Sequence, residues 1–497
     1  MHRSRIIRFA CFAVPCVASA ILASAVQAAA PAAVPPVSYF PNVNAAFTLT
    51  EAGSSSQFIK FIGSGLLNIS SCAEISAAWR NASAPAERCL AATHFRAPRN
   101  ASFINQCYCL VNPKWIPVAS PETDSARLLW PCASAADCSY NGDCSSNGTC
   151  ACDTAWSGPR CSELRLLPVD AAAPGLRLTD SAGRNVSTWG APMLRDEATG
   201  VWHAWASEME EGCGINSWTT NSHVVHATAM APGGPWHREE ELFPAFAHEP
   251  DVVRGPSGEL VMVLSAYELP DNTSKRCTTC ANGMTLAQDV KNGCGPNRTH
   301  SFKTVLAIAR DGFDGRWDSL QEIVGLSTAW DWNTALTVLS NGSSVALLRA
   351  CFVWTASNYA DNTTWRSVGG DHEGPALGDA NVEDPYIWVD RRGVFHAVMH
   401  SMDAGQPFCG GHAFSADGIA WTYTGYAYSN AANYSDGSWE VFARRERPHL
   451  LFAQDGTTPI ALSNGVQYAA PPGVNCTIGG ARTVCDPIFT LVQPIAT

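Results

Sequence analysis

An all-β fold, a five-bladed β-propeller preceded by a small disulfide-rich module and an N-terminal cysteine-containing segment, is what this sequence predicts. Three observations carry it. A proline, seven residues and a glycine recur along the C-terminal two-thirds, each time followed by a second apolar run. A tryptophan closes a polar turn downstream of most of these phrases. Six cysteines crowd into the stretch just ahead of the first phrase.

Residues 1–28 read as a secretory signal peptide: Arg3, Arg5 and Arg8, an apolar stretch over 9–26, then Val26-Gln27-Ala28 as the cleavage site. The rival is an uncleaved anchor, because the stretch is near the lower limit for spanning. Cleavage leaves 18 of the 20 cysteines, and eleven Asn-x-Ser/Thr sequons accompany them. That combination fits a secreted, disulfide-bonded glycoprotein. A formal net charge of −12 without any basic run argues against nucleic acid and anionic membranes as partners. Residues 29–127 form a domain whose type the sequence does not reveal. Its Cys72, Cys89, Cys107 and Cys109 are expected to form two disulfides. Cys107 and Cys109, on one side of an extended segment, should bond different partners.

Residues 128–163 contain Cys132, Cys138, Cys144, Cys150, Cys152 and Cys161. A segment this short cannot bury a core and needs staples. The spacing resembles an EGF-like domain, including Cys150-Ala151-Cys152, the aromatic Trp156 and Gly158; Ala155 replaces the glycine usual before that aromatic. The resemblance implies pairings Cys132–Cys144, Cys138–Cys150 and Cys152–Cys161, among which spacing alone does not choose. Leu128, Leu129, Trp130 and Pro131 replace the acidic signature of calcium-binding members, so no calcium is expected. The module reads as a spacer or as a contact to a cell-surface or matrix protein. Further on, Cys277 and Cys280 lie with Cys294 but lack a second paired motif, which favours disulfides over zinc.

Residues 164–497 carry the blades. The phrase stands at Pro192–Gly200, Pro250–Gly258, Pro385–Gly393 and Pro448–Gly456, and Thr334–Gly342 has the same length with threonine first. Proline has no N–H and suits a strand start, while glycine suits the hairpin turn. Successive starts lie 58, 84, 51 and 63 residues apart, which fits blades of four strands. Trp236, Trp317, Trp365 and Trp421 then follow polar turns and read as plugs between neighbouring blades. The fifth blade lacks a copy and is expected to be completed by residues 164–169 or 488–492.

Whatever stands just before each start should face the axis. Those residues are Ala191, Glu249, Asn333, Asp384 and Arg447, and one step earlier Gly190, His248, Trp332, Glu383 and Glu446. Carboxylates, an amide and a guanidinium in register make an unusual ring, although Arg447 paired with Asp384 would also serve to close the channel. His400, His412, Arg349 and Asn464 are further candidates on the returning strands. Strand alternation puts Arg445 and Arg447 on one side and Glu446 on the other.

Acidic residues before a proline (Glu249-Pro250, Asp384-Pro385) and turns such as 415–421 resemble the five-bladed furanosidase-type propellers, including glycoside hydrolase family 43 and its invertase-like relatives. The resemblance implies hydrolysis of arabinosyl, xylosyl or fructosyl linkages by carboxylates on inner strands. Here Ala191 and Asn333 occupy two positions where that family places acids. Glycoside cleavage needs one acid and one carboxylate. Glu249 and Asp384 are the expected catalytic pair, with Glu383 in reserve; Arg447, Asn333, Trp332, His248 and His400 are the expected contacts to a carbohydrate. No cofactor and no metal ligand set is assigned. The alternative is a non-catalytic propeller that recognises a glycan or protein.

Overall fold

The computed structural model describes residues 132–497 except 180–182, 184, 210–212, 216–217, 267–301, 324, 327–331, 369–380, 403–408 and 469–487; ahead of residue 132 it describes strand backbone only. The expected signal peptide and the cysteines Cys72, Cys89, Cys107, Cys109, Cys277, Cys280 and Cys294 lie outside the described residues or their side chains. The chain divides into two compact units. The first holds a five-stranded antiparallel sheet, ordered Val37–Phe40, Thr123–Leu128, Ala91–Phe95, Gln106–Leu110, Ile59–Ser64.

The second unit, from Trp130 onward, contains the five blades. Blade I runs Ser187–Trp189 and Met193–Arg195 (one interrupted inner strand), Trp202–Met209, Ser222–Ala229 and His237–Phe243. Blade II comprises Ala247–Arg254, Leu260–Ala266, Lys303–Ala309 and Gln321–Glu322. Blade III comprises Ala335–Val338, Ser344–Leu347, Val353–Ala356 and Trp365–Ser367. Blade IV comprises Val382–Val389, Phe395–Ser401, Cys409–Ser415 and Thr422–Tyr428. Blade V has Arg444–Phe452, Pro459–Gln467 and Ile488–Pro494 as its first three strands. Its outermost strand is Gly175–Leu176, supplied by residues ahead of blade I. Residues 488–492 are therefore an internal strand of blade V. Residues 164–169 meet the same strand only at its end: Leu166 bridges Ile495, Leu167 N–H donates to the Pro494 carbonyl and Ala496 N–H to the Arg165 carbonyl.

Burial explains the ring. All seven residues of Leu260–Ala266 are buried, as are those of Phe395–Ser401, because each sheet has a neighbouring sheet on both faces. The repeated tryptophans stand at or just before each outermost strand and pack on the preceding blade. Trp236 lies with Leu451 and Ala461 of blade V, Trp317 with Leu194 and Trp205 of blade I, Trp365 with Val261 and Leu306 of blade II, and Trp421 with Val345 and Leu347 of blade III.

The fifth such place, between blades IV and V, is filled from elsewhere. Three disulfides, Cys132–Cys144, Cys138–Cys150 and Cys152–Cys161, staple the cysteine-rich module. Its Ala155 and Trp156 are buried in one cluster with Tyr386, Trp388, Leu450, Leu462 and Ile495. Trp156 stacks on Trp388 at 6.3 Å between ring centroids. Arg392 of blade IV donates to the carbonyl oxygens of Tyr140 (2.7 Å) and Gly142 (3.2 Å). The module thus packs into the wall of the ring, where the sequence suggests a spacer or a contact to another protein.

Register puts the blade starts on one face: Ala247 pairs with Ala266, Val382 with Ser401 and Arg444 with Gln467. The long connections that follow Ala266, Ser401 and Gln467 leave from that same face. The repeat glycines close the hairpins at the opposite end, where Arg254 pairs with Leu260 and Val389 with Phe395.

Candidate functional site

The axial site is built by one backbone irregularity repeated in blades II, IV and V. In blade II the pairing steps from His248↔Ser265 to Asp251↔Val263, so Glu249 and Pro250 together oppose a single residue. The same bulge holds Asp384-Pro385 and Arg447-Pro448. Proline has no N–H to pair, which favours a bulge here over a continuous ladder. The residue before it turns left-handed: φ is +56° at Glu249, +51° at Asp384 and +54° at Arg447, with +46° at Asn333 before Thr334. Four non-glycine residues in this conformation each cost about 1–2 kcal/mol of backbone strain. All four carry polar side chains, and all four are buried.

Blade I departs from the expected register. Its left-handed residue is Gly190, at φ +62°, one position before Ala191. Space explains the glycine: a Cβ at Gly190 would lie 2.6 Å from both Cβ and Cγ of Arg447. The side chain of blade V therefore crosses the place that blade I leaves empty and reaches blade II. There Arg447 Nη2 donates to the Glu249 carbonyl oxygen at 2.6 Å.

The guanidinium stands between the two carboxylates. Arg447 Nη1 is 3.5 Å from Glu249 Oε2 and 3.5 Å from Asp384 Oδ1, so these oxygens are at most twice that distance apart. The Arg447 backbone N–H also donates to Asp384 Oδ2 at 3.2 Å. Asn333 Nδ2 donates to Glu249 Oε2. His248 Nε2 lies 3.5 Å from Glu249 Oε1, and its ring is fixed by Ser222 Oγ (2.6 Å) and by stacking on Trp218. Exposure falls to 6% at Glu249, 4% at Asn333, and 3% at Asp384 and Arg447, so this is a closed charge cluster.

The two carboxyl groups are driven apart in acidity. Burial by itself raises Glu249, but the Arg447 guanidinium, His248 and Asn333 outweigh it and hold the group well below the usual range. Burial raises Asp384, and the charges of Glu249 and Glu383 add to it, so its carboxyl is pushed well above the usual range despite Arg447. The arrangement therefore sets the two apart, Glu249 as the stronger acid and Asp384 as the weaker.

Toward the connection-bearing face lies a second group. Arg349 Nη2 pairs with Glu383 Oε2, and Glu383 Oε1 lies 3.2 Å from His400 Nδ1. His400 Nε2 is 3.9 Å from Glu446 Oε1, whose carboxyl burial raises above its usual value. Donor atoms of Glu383, Asp384, His400 and Glu446 all lie within 4.8 Å of one another, a set that could hold a divalent cation. The module's cysteines are in disulfides and offer no thiolate.

On the other side of the cluster Asp251 accepts from the Leu336 N–H at 2.9 Å and faces His449 at 3.6 Å, and Tyr386 packs on His449. Burial pushes the Asp251 carboxyl up to about 6 and His449 down to about 3. Asp251 and His449 went unnoticed in the sequence, though each stands directly after the proline of its blade.

Trp332, expected to stack on a sugar, is 8% exposed and packs edge-on against Phe352. Two sequence expectations fail here. His412 is not axial: it sits against the cysteine-rich module, 3.2 Å from Asn141 Nδ2. Arg445 does not share an environment with Arg447. It donates to Asn464, Gln493 and the carbonyls of Ser429 and Ala431, while Arg447 enters the axis. The left-handed residue breaks strand alternation, which is why reasoning by alternate residues misplaced them. Asn464, bonded to Arg445, Tyr428 and the Glu446 carbonyl, is part of that structural tie.

No protein-family model matches the chain, and no curated protein matches it in sequence. Among solved structures it is similar to the catalytic domain of a Coprinopsis cinerea GH62 α-L-arabinofuranosidase, at 10% identity and a TM-score of 0.42, covering 67% of this chain and 97% of that one. It is also similar to an exo-β-1,3-galactanase from Phanerochaete chrysosporium (10% identity, TM-score 0.38, 65% and 63% covered). A GH43 protein from Bacillus licheniformis stands at 12% identity and a TM-score of 0.37, with 62% and 53% covered. Likenesses this distant do not bear on what the site does.

Proposed function

We propose that this chain is a secreted carbohydrate-active enzyme, a glycoside hydrolase whose acid and base are Asp384 and Glu249. One observation carries the reading: two buried carboxyl groups flank a single guanidinium nitrogen, each at 3.5 Å, and their surroundings push their acidities in opposite directions. On this reading Asp384 protonates the glycosidic oxygen, and ionised Glu249 activates water or attacks the sugar carbon. Arg447 and His248 keep Glu249 charged, Asn333 orients it, and Glu383 is the reserve acid. The guanidinium occupies the gap, so on this reading a sugar ring enters as the Arg447 head group moves aside while its stem stays across Gly190. The upper limit on carboxylate separation spans both stereochemical outcomes, which require about 5–5.5 Å and about 6.5–9.5 Å. The leader, the sequons and the cysteine count support secretion, and the three disulfides support reading residues 128–163 as an EGF-like domain.

The burial of the cluster favours a second reading. A ring closed by Arg447 is also a sound frame for a recognition propeller, binding a glycan or a cell-surface or matrix protein. The purified chain, incubated with arabinan, xylan, fructan and galactan, separates the two. Release of reducing sugar that Glu249→Gln and Asp384→Asn each abolish is the expected result. Hydrolysis that survives in both variants would remove this pair from the chemistry.

A further inference from the structure

Away from the axis, the outer edge of blade V carries a concavity of about 470 Å³, within the size range of small-ligand sites. It lies between the residues leading into the outermost strand and a hairpin, Ala431–Asn433 with Trp439–Val441, that joins blades IV and V. None of its lining belongs to the axial cluster.

Its most unusual member is Trp439, 68% exposed on a rigid platform. The hairpin is clamped to the preceding chain. Val169 N–H donates to the Asn433 carbonyl and Ser435 N–H to the Val169 carbonyl, each at 2.8 Å. Opposite, Arg177 is exposed yet immobilised: Nη2 donates to Tyr468 Oη at 2.9 Å, and the guanidinium lies 3.9 Å from the Phe489 ring centroid. Asp436 is committed to its own turn through the Ser438 N–H and hydroxyl. Glu440 lines the same concavity with no hydrogen bond to its carboxylate among the described residues.

We propose that this concavity binds a neutral oligosaccharide, one ring stacked on Trp439 with its hydroxyls shared between Arg177 and Glu440. An indole face matches the C–H face of a pyranose. A fixed guanidinium and an uncommitted carboxylate supply paired donors and acceptors for vicinal hydroxyls. The lining sets one guanidinium against two carboxylates, Asp436 and Glu440, which disfavours an acidic sugar. The ligand class rests on the carbohydrate reading above, but the site does not require the axis to be catalytic. Its role is to hold a polymer beside the ring.

Titration calorimetry of the full chain with xylohexaose, cellohexaose, arabinohexaose and β-1,3-galactohexaose tests it. At least one should bind, with affinity reduced at least about tenfold in both Trp439→Ala and Arg177→Ala, a loss of about 1.4 kcal/mol. Circular dichroism should match the wild type, since both side chains are exposed. Binding should persist in Glu249→Gln, so failure at the axis and failure here remain distinct. Absence of binding by all four probes, or affinity within twofold of wild type in Trp439→Ala, overturns the proposal. Asn433, in the sequon Asn433-Tyr434-Ser435, is the cross-strand partner of Trp439. Binding seen only in Asn433→Gln would mean that the chain's own glycan covers the tryptophan, and would equally overturn it.

Discussion

Replacing Gly190 by alanine tests how the axis is assembled. A Cβ there meets Arg447 Cβ and Cγ at 2.6 Å, and the residue must also keep φ near +62°. The left-handed conformation costs an L-residue about 1–2 kcal/mol, and crowding a packed interior costs about 1–3 kcal/mol more. Gly342→Ala is the control, because φ is +82° there and nothing lies within 4 Å of the added atom. Urea unfolding of both variants at pH 7 should show Gly342→Ala losing about 1–2 kcal/mol and Gly190→Ala about 2–5 kcal/mol. Displaced Arg447 should also let Glu249 take up a proton at higher pH. If Gly190→Ala costs no more than Gly342→Ala, Arg447 does not cross the first blade, and the account of the missing acid is wrong.

Arg447→Ala leaves the buried Glu249 charge without its main partner and should cost about 3–5 kcal/mol, read from the same unfolding curves; a loss below 1 kcal/mol would make Arg447 a ligand contact and not a structural tie. For Asp251 the folded carboxyl titrates near 6, above its ordinary value, so between those values the folded state binds more protons than the unfolded one. Stability should therefore fall as pH rises through about 4 to 6 and level off above; Asp251→Asn, which keeps an acceptor for the Leu336 N–H, should lack that decline. Trp156→Ala should cost about 3–5 kcal/mol in thermal or urea unfolding although it lies outside the blades. Mild reduction, followed by limited proteolysis, should open residues 132–163 before the blades and expose the cluster around Trp388.

The fold was legible because its signals are local and repeated: a proline, a glycine and a tryptophan at fixed offsets state where strands start, turn and plug. The axial residues were legible for the same reason, since Glu249, Asp384 and Arg447 each precede one of those prolines. What escaped depended on backbone twist or on distant chain. Nothing in the residue string around Arg445 and Arg447 tells of a left-handed bulge, and two-residue periodicity then gives the wrong partners. Gly190 looks like an ordinary turn glycine until the stem of Arg447, from the far end of the chain, is laid across it. The outermost strand of blade V, Gly175–Leu176, is too short to show a pattern and is defined only by its pairing with Leu491 and Thr490.

That pairing has a consequence for the order of events during synthesis. Gly175 and Leu176 leave the ribosome before any blade exists, yet their partner strand, Ile488–Pro494, emerges after every other blade strand. The cysteine-rich module comes still earlier and displays Ala155 and Trp156 with no blade IV to cover them. Both must wait, open-faced, for nearly the whole length of the ring. A chain that closes this late has a long interval in which chaperones can hold it and in which a second nascent copy can offer its own last strand. Intermolecular clasping, giving linked rings or chains of rings, is therefore the misassembly expected at high expression, and size-exclusion chromatography of the overexpressed chain would reveal it.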